Sequence, residues 1–210
     1  MRQFLETGCG TGFVLAGANA SFPKVTLSGS EVSAKGLVYA TNRVPRASFF
    51  QMDARSIPFV DEFVAIGAFD VLEHIEEDSL VLRQMYQAAR PGDGVVLTVP
   101  QHDFLWSRID ELSCHVRHYA AEDLSCKVQA AGFHLERMTS FVSLLLCSMI
   151  GARAMQTLKR KECDLLAELR IGRLTNAVLE RVVNVESMAI RAGLNFRVGD
   201  SLLLVARKTP

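Results

Sequence analysis

The sequence predicts an α/β fold, a single sheet of about seven strands joined by crossover helices. Three observations predict it. Short β-rich runs alternate with longer helical patterns through the first 140 residues, the signature of a parallel sheet. A turn with three alternating glycines, Gly8-Cys9-Gly10-Thr11-Gly12, stands between the first strand and the first helix. The length of 210 residues suits one domain with an elaborated end, at about 100–200 residues per domain.

The strands fall at Gln3–Glu6, Val25–Ser30, Ala47–Met52, Phe63–Phe69, Gly94–Val99 and Phe133–Phe141. Helices fall between them at Phe13–Ser21, Val32–Asn42, Glu76–Ala89 and Ala121–Ala131. The third of these carries Leu80, Leu82, Met85 and Ala89, with Glu76, Glu77 and Asp78 in its first turn, where acids suit the positive end of the helix dipole. Arg90-Pro91-Gly92 stops it. After residue 141 the pattern changes. Phe141 to Arg160 reads as a very apolar helix with a basic end, and Asp164 to Ala192 as one or two amphipathic helices. Ser201–Ala206 is a continuous apolar run, read as a buried last strand. The organisation is one domain over 1–210: a core at 1–141, a helical insertion at 142–196 and a final strand at 197–210. The first strand begins almost at residue 1, so its cover must come from the C-terminal helices, a partner or residues outside this sequence.

Composition narrows the function classes. Apolar residues make up 49% and charged residues 22%, which excludes collagen-like, disordered and disulfide-scaffold chains. Lys+Arg and Asp+Glu are 23 each, so the basic excess expected of a nucleic-acid binder is absent. Residues 1–150 are net −5 and residues 151–210 net +5, so the two parts face different things or each other. The five cysteines, at 9, 114, 126, 147 and 163, contain no C-x-x-C pair and read as reduced thiols of a cytoplasmic protein. The N-terminus does not read as a signal peptide, and no apolar run reaches the ~20 residues of a membrane-spanning helix.

The glycine turn carries the strongest chemical signal. Glycine there permits positive φ, lets a ligand lie on bare backbone and allows close packing of helix on strand. The spacing is G-x-G-x-G preceded by Glu6. Phe13 occupies the position where a dinucleotide-binding G-x-G-x-x-G needs glycine, and no Lys-Ser/Thr pair follows to make a phosphate loop. Two further acids stand at strand ends. Glu31 lies 19 residues after Gly12; it either grips two ribose hydroxyls or serves as a helix N-terminal acid. Asp53 either accepts from an exocyclic amine such as adenine's or caps a turn.

Together with the segments Phe69-Asp70-Val71-Leu72-Glu73-His74-Ile75 and Arg90 to Pro100, these residues resemble the class I S-adenosylmethionine-dependent methyltransferases, of the type 11/12-like kind. The resemblance covers residues 1–141, and Gly199 to Val205 looks like the family's closing strand. It implies a Rossmann-like, doubly wound seven-stranded sheet, mostly parallel with an antiparallel last strand, plus a C-terminal helical insertion. It implies S-adenosyl-L-methionine as cofactor. Glu6, Gly8, Gly10 and Gly12 would hold its methionine part, Glu31 the ribose, and Asp53 with Ala54 the adenine. Phe69 would pass beside the sulfonium.

Acceptor-side candidates lie after the fifth strand, where ligands of doubly wound folds sit. Trp106, Asp110, His115, Arg117 and Tyr119 crowd into one segment. His115 is the candidate general base, because its ordinary pKa lies near neutrality, and Asp110 would orient it. Arg117, Trp106 and Tyr119 would bind the acceptor; the competing reading has Arg117 and Tyr119 pinning the loop to the sheet and His115 as a structural hydrogen-bonder. Asp110, His115 and His118 could cluster, but spacing alone gives no metal site.

The expected function is methyl transfer to a small-molecule or lipid-linked acceptor. The alternatives are a nicotinamide-dependent oxidoreductase or epimerase, disfavoured by Phe13 and by the lack of Tyr-x-x-x-Lys, and a non-catalytic interaction module on the same fold. The segment 141–161 has no acid between Glu136 and Glu162, and is read either as an interfacial helix making peripheral membrane contact or as a core helix packed on the sheet or across a homodimer. Nucleic acid is not expected as acceptor.

Overall fold

The computed structural model describes residues 2–146, 148, 150, 151 and 172–210. Seven strands form one sheet: β1 (Gln3–Thr7), β2 (Thr26–Glu31), β3 (Ser48–Gln51), β4 (Phe63–Phe69), β5 (Ala89–Pro100), β6 (Phe133–Phe141) and β7 (Ser201–Lys208), in the order β3-β2-β1-β4-β5-β7-β6. The first five in that order are mutually parallel. β7 runs antiparallel to both its neighbours, β5 and β6. The expected sheet is therefore present, and β1 and β4 lie side by side where the strand order reverses, the position at which such sheets bind ligands.

Alternation along β1 sends Phe4 and Leu5 to opposite faces. Leu5 joins Ile66, Val95, Leu97 and Leu204 in the larger core, covered by Val81, Leu82 and Met85 of α3 (Asp78–Ala88) and by Leu124 and Val128 of α5 (Ala121–Ala130). Phe4 packs in a smaller cluster with Leu15 of α1 (Phe13–Ser21), Leu27 and Val44. The helix α2 (Ala34–Arg43) is capped by Ser33, whose hydroxyl accepts from Gly36 N.

Two boundaries differ from expectation. Arg90-Pro91-Gly92 does not separate α3 from β5; it lies inside the strand, which starts at Ala89 directly after the helix. Gly92 takes φ +83 there, and the β4–β5 register shifts between Phe63 and Ala65, so the irregularity is absorbed as a bulge. Phe141 ends β6 and opens no helix. Val142 turns the chain at φ +58, and the amides of Ser143 and Leu144 donate to the buried carboxylate of Glu186 from α6 (Arg173–Arg191). The basic end expected at Arg153, Lys159, Arg160 and Lys161, together with Cys147 and Cys163, lies outside the described residues. Among the described residues, Cys9, Cys114 and Cys126 are free thiols, and no helix is long and apolar enough to cross a membrane.

Candidate functional site

A cleft of about 830 Å³ opens over the C-terminal ends of β1, β2 and β4. That volume lies within the ~300–1,000 Å³ range of small-molecule sites. Gly8, Gly10, Glu31, Asp53, Ala54 and Asp70 line it, with His74 and Val116 on its far side. The loop after β1 is shaped by left-handed glycines: Gly8 has φ +67, Gly10 +51 and Gly12 +80. A Cβ added to Gly10 would meet nothing within 4 Å, so this backbone faces open cleft. Gly12 stands behind the cleft, where a Cβ would come within 3.0 Å of the Ala40 backbone. Arg43 stacks on the Phe13 ring and donates to the Thr11 carbonyl, tying the loop to α2.

Glu31 has two roles at once. Its carboxylate accepts from Gly10 N and from Ser33 N, each at 3.0 Å, which fixes the glycine loop against β2. A carboxylate has about four acceptor positions, so two remain for a diol in the cleft. Asp53 is held by Arg55: the Arg55 backbone amide donates at 2.9 Å and its Nη2 at 2.7 Å. These bonds hold the Asp53 carboxyl below its ordinary range. Arg55 also reaches Glu77, so a ligand amine at Asp53 must compete with an exposed arginine. Asp70 takes φ +54 beside the cleft and accepts from Thr98. Phe69, expected beside the sulfonium, is not on the cleft wall; the next two residues, Asp70 and Val71, are.

Glu6 does not line the cleft. It is 3% exposed beneath α1, and burial pushes its carboxyl up to about 8 against the backbone amide of Leu15, which favours the charged form. One of its oxygens is without a hydrogen-bond partner. The folded state thus holds a proton that the unfolded chain releases near pH 4.5, and stability contributed by this group falls as pH rises between about 4.5 and 8. Glu6→Gln removes that dependence. Its unfolding midpoint should climb relative to the parent as pH goes from 5 to 8, read by urea titration at each pH; parallel curves would show that Glu6 ionises normally.

The acceptor-side candidates separate into two groups. Arg117 and Tyr119 are committed to structure. Arg117 Nη1 lies 2.6 Å from Asp78 Oδ2, and its Nη2 donates to the Glu76 carbonyl. Tyr119 is 1% exposed, with its hydroxyl 2.7 Å from the same Asp78 oxygen, so it does not reach an acceptor. The pinning reading of the loop is the one the geometry supports for both. Trp106 lies outside the cleft wall, its ring 5.0 Å from that of His118.

Asp110 and His115 do come together. Asp110 sits in the short helix α4 (Arg108–Leu112), where its Oδ2 accepts from Ser107 N and Oγ at 2.7 Å each, closing a capping box. Its Oδ1 lies 3.0 Å from His118 Nε2 and 3.0 Å from His115 Nδ1, the latter without hydrogen-bond alignment. Burial holds His115 below its ordinary 6.5, and the neighbouring His74 adds to this, against the opposing pull of Asp110. The imidazole is therefore neutral at pH 7.

One functional-looking group was invisible in the spacing. Leu72–His74 forms a single 3-10 turn after β4, and Val116 N donates to the Glu73 carbonyl at 2.8 Å, drawing the 113–119 loop against it. The His74 and His115 rings meet edge to face at 4.6 Å. Glu73 lies beside them, fully buried, and burial pushes its carboxyl up to about 8 against the opposing pull of its own backbone amide, with Asp70 and Asp110 adding to the shift. Glu73 read in the sequence as one acid in a helix start; the loop that meets it lies over forty residues further on.

Comparison with known proteins agrees with this architecture. Residues 4–92 match the family model of a methyltransferase domain. Norajmaline N-methyltransferase of Rauvolfia serpentina is 27% identical over 107 residues, 48% of this chain and 37% of that protein. Among solved structures, phosphoethanolamine N-methyltransferase 2 of Haemonchus contortus, in complex with S-adenosyl-L-methionine, superposes with TM-score 0.64 at 19% identity, over 100% of this chain and 49% of that one. An S-adenosylmethionine-dependent methyltransferase of Mesorhizobium loti gives TM-score 0.63 at 15% identity, over 98% and 90%. This chain thus spans about half or less of the length of the first two, and the structural likenesses establish the fold alone. Residues 4–92 thus match a methyltransferase domain, and the reversed seventh strand and the glycine loop with Glu31 at the next strand end are in keeping with a class I S-adenosylmethionine-dependent methyltransferase fold.

Proposed function

We propose that this protein binds S-adenosyl-L-methionine in the cleft and transfers its methyl group to a small-molecule or lipid-linked acceptor, in the cytoplasm or at a membrane face. The observation that carries the proposal is the cradle itself: bare backbone at Gly8 and Gly10, with Glu31 and Asp53 at successive strand ends of one cleft. The glycine backbone would take the methionine part, Glu31 the ribose through its spare acceptor positions, and Asp53 with Ala54 the adenine. Glu6 supports the loop from below.

The chemistry asks little of the protein beyond placement. When bound, S-adenosyl-L-methionine would supply its sulfonium methyl to the acceptor's lone pair in an in-line displacement, the carbon–sulfur bond breaking to leave a thioether. Holding the reacting atoms about 3–3.5 Å apart and aligned supplies much of the acceleration. If the acceptor is a hydroxyl or an ammonium, it must also lose a proton. His115, half-buried beside Asp110 and between the cleft residues Cys114 and Val116 in the chain, would take it. Membrane or homodimer contact through 141–161 remains part of the proposal; flotation with anionic vesicles separates the two.

Calorimetric titration with S-adenosylhomocysteine and with NAD tests the reading. Saturable binding of the first and not the second is expected; the reverse would make this a redox protein, and binding of neither an interaction module. Glu31→Gln keeps the side chain's shape but removes charge-assisted bonds worth about 1.5–3 kcal/mol. It should weaken S-adenosylhomocysteine at least about tenfold. An unchanged affinity would remove Glu31 from the ribose site.

A further inference from the structure

We propose that Glu73, His74 and His115 form a binding site for one divalent transition-metal cation of the zinc class, at the acceptor end of the cleft. One potential ligand atom from each of the three lies within 4.8 Å of the others. Bonds of about 2.0–2.2 Å to zinc put neighbouring ligand atoms roughly 3.4 Å apart, so side-chain movements of about 1 Å close the set. Two imidazoles and a carboxylate are a donor set that suits zinc and its neighbours better than magnesium, which prefers oxygen alone.

The second observation is Glu73. Its side chain is 0% exposed, and neither carboxylate oxygen has a hydrogen-bond partner among the described residues. A carboxyl buried without a partner is costly, and such groups call for an explanation. Asp110, His115 and His118 form an overlapping trio, but its donors are already engaged. Asp110 holds Ser107 and His118, and the other His118 nitrogen lies 3.0 Å from the His102 carbonyl. The unsatisfied capacity sits with Glu73. Asp110, 3.0 Å from a His115 nitrogen, is then placed as the outer carboxylate that orients a ligating imidazole.

Three protein ligands leave a fourth position open, and His74 places that side of the cation in the cleft. This part rests on the methyl-transfer reading. A hydroxyl acceptor bound there is polarised by the cation and gives up its proton more readily. With the cation bound, His115 is a ligand and not the general base, and the proton of the bound hydroxyl passes to solvent water in the open cleft.

The test uses the full chain, stripped with a chelator and titrated with Zn²⁺ in competition with a chromophoric chelator. One equivalent should bind. His74→Ala, a change at an exposed residue, and Glu73→Gln should each weaken it by more than the about 10–100-fold seen for outer-shell partners. Asp110→Asn should weaken it less. Thermal unfolding of each apo variant checks folding, and His74→Ala keeps the test decisive if Glu73→Gln does not fold. The proposal is overturned if the parent binds no zinc, if magnesium binds in its place, or if zinc binding survives His74→Ala and fails in Asp110→Asn. S-adenosylhomocysteine titration of the same metal-free protein separates the two readings. Cofactor binding without zinc binding removes the cation and leaves methyl transfer standing.

Discussion

Replacing Asp78 by alanine should cost about 3 kcal/mol or more of folding stability, the scale of breaking a buried ion pair by removing one partner. Three donors converge on Asp78 Oδ2: Arg117 Nη1 at 2.6 Å, the Tyr119 hydroxyl at 2.7 Å and Lys127 Nζ at 2.7 Å. The carboxylate is 3% exposed and stands at the first turn of α3, where the helix dipole also favours it. Alanine would leave two cations and a buried phenol without their acceptor. Arg117 and Lys127 keep partial access to water, which places the expected loss at the low end of the range. Burial opposes ionisation of Asp78, but the bonds from Lys127 and Tyr119 and the two positive charges outweigh it, so the carboxyl lies below its ordinary 3.8. Its contribution is therefore complete above about pH 4 and is lost as pH falls through the lower folded value. Denaturant titrations of parent and Asp78→Asn between pH 3 and 7 should diverge at neutral pH and converge in acid. A difference below 1 kcal/mol at pH 7 would show that the three donors find water instead. The same change would loosen the loop that carries His115, because Arg117 and Tyr119 are its anchors.

Gly8→Ala should leave a folded protein that no longer holds S-adenosylhomocysteine. Two costs add. The φ of +67 is a left-handed conformation worth about 1–2 kcal/mol against a residue with a Cβ. The new methyl would also lie 2.6 Å from Val71 Cγ2, a stiff branched side chain on the cleft wall. Overpacking of that kind costs about 1–3 kcal/mol. The relief available is movement of the loop or of Val71, and both line the cleft. A loss of roughly 30-fold or more in affinity is expected, at 1.4 kcal/mol per tenfold. Gly17→Ala is the control. It lies within α1, an added Cβ meets nothing within 4 Å, and it should stabilise by about 0.5–1 kcal/mol. Equal affinities for the parent and Gly8→Ala would mean that the loop does not carry the ligand.

Local signals were legible where one segment fixes its own structure. Phe63–Phe69, Phe133–Phe141 and Phe13–Ser21 are found where the pattern sets them. So are the glycine turn and the acids at strand ends, because each answers to a local backbone need. Arg90-Pro91-Gly92 misled because punctuation rules describe isolated segments. Here β4 pairs with the strand on both sides of the irregularity, at Ala89 and again from Gly94 onward. The site was legible at the ends of β1, β2 and β3 and in the Asp110–His115 pair, but not in Asp78 or Glu73. Asp78 reads as one of three acids in a helix start, and nothing local marks it as the meeting point of Arg117, Tyr119 and Lys127. Glu73 and His115 are brought together by a backbone bond between Val116 and Glu73, a pairing that periodicity does not encode.

The seventh strand has a bearing on biosynthesis. It pairs with β5 along Gly94–Pro100 and with β6 along Phe133–Phe141, so it is the seam between two parts of the sheet made long before it. A nascent chain therefore carries two open β edges until nearly all seven strands have been translated, and open edges invite pairing with other chains. Early release of the polypeptide, or a slow codon before Ser201, would be felt as aggregation rather than as lost catalysis.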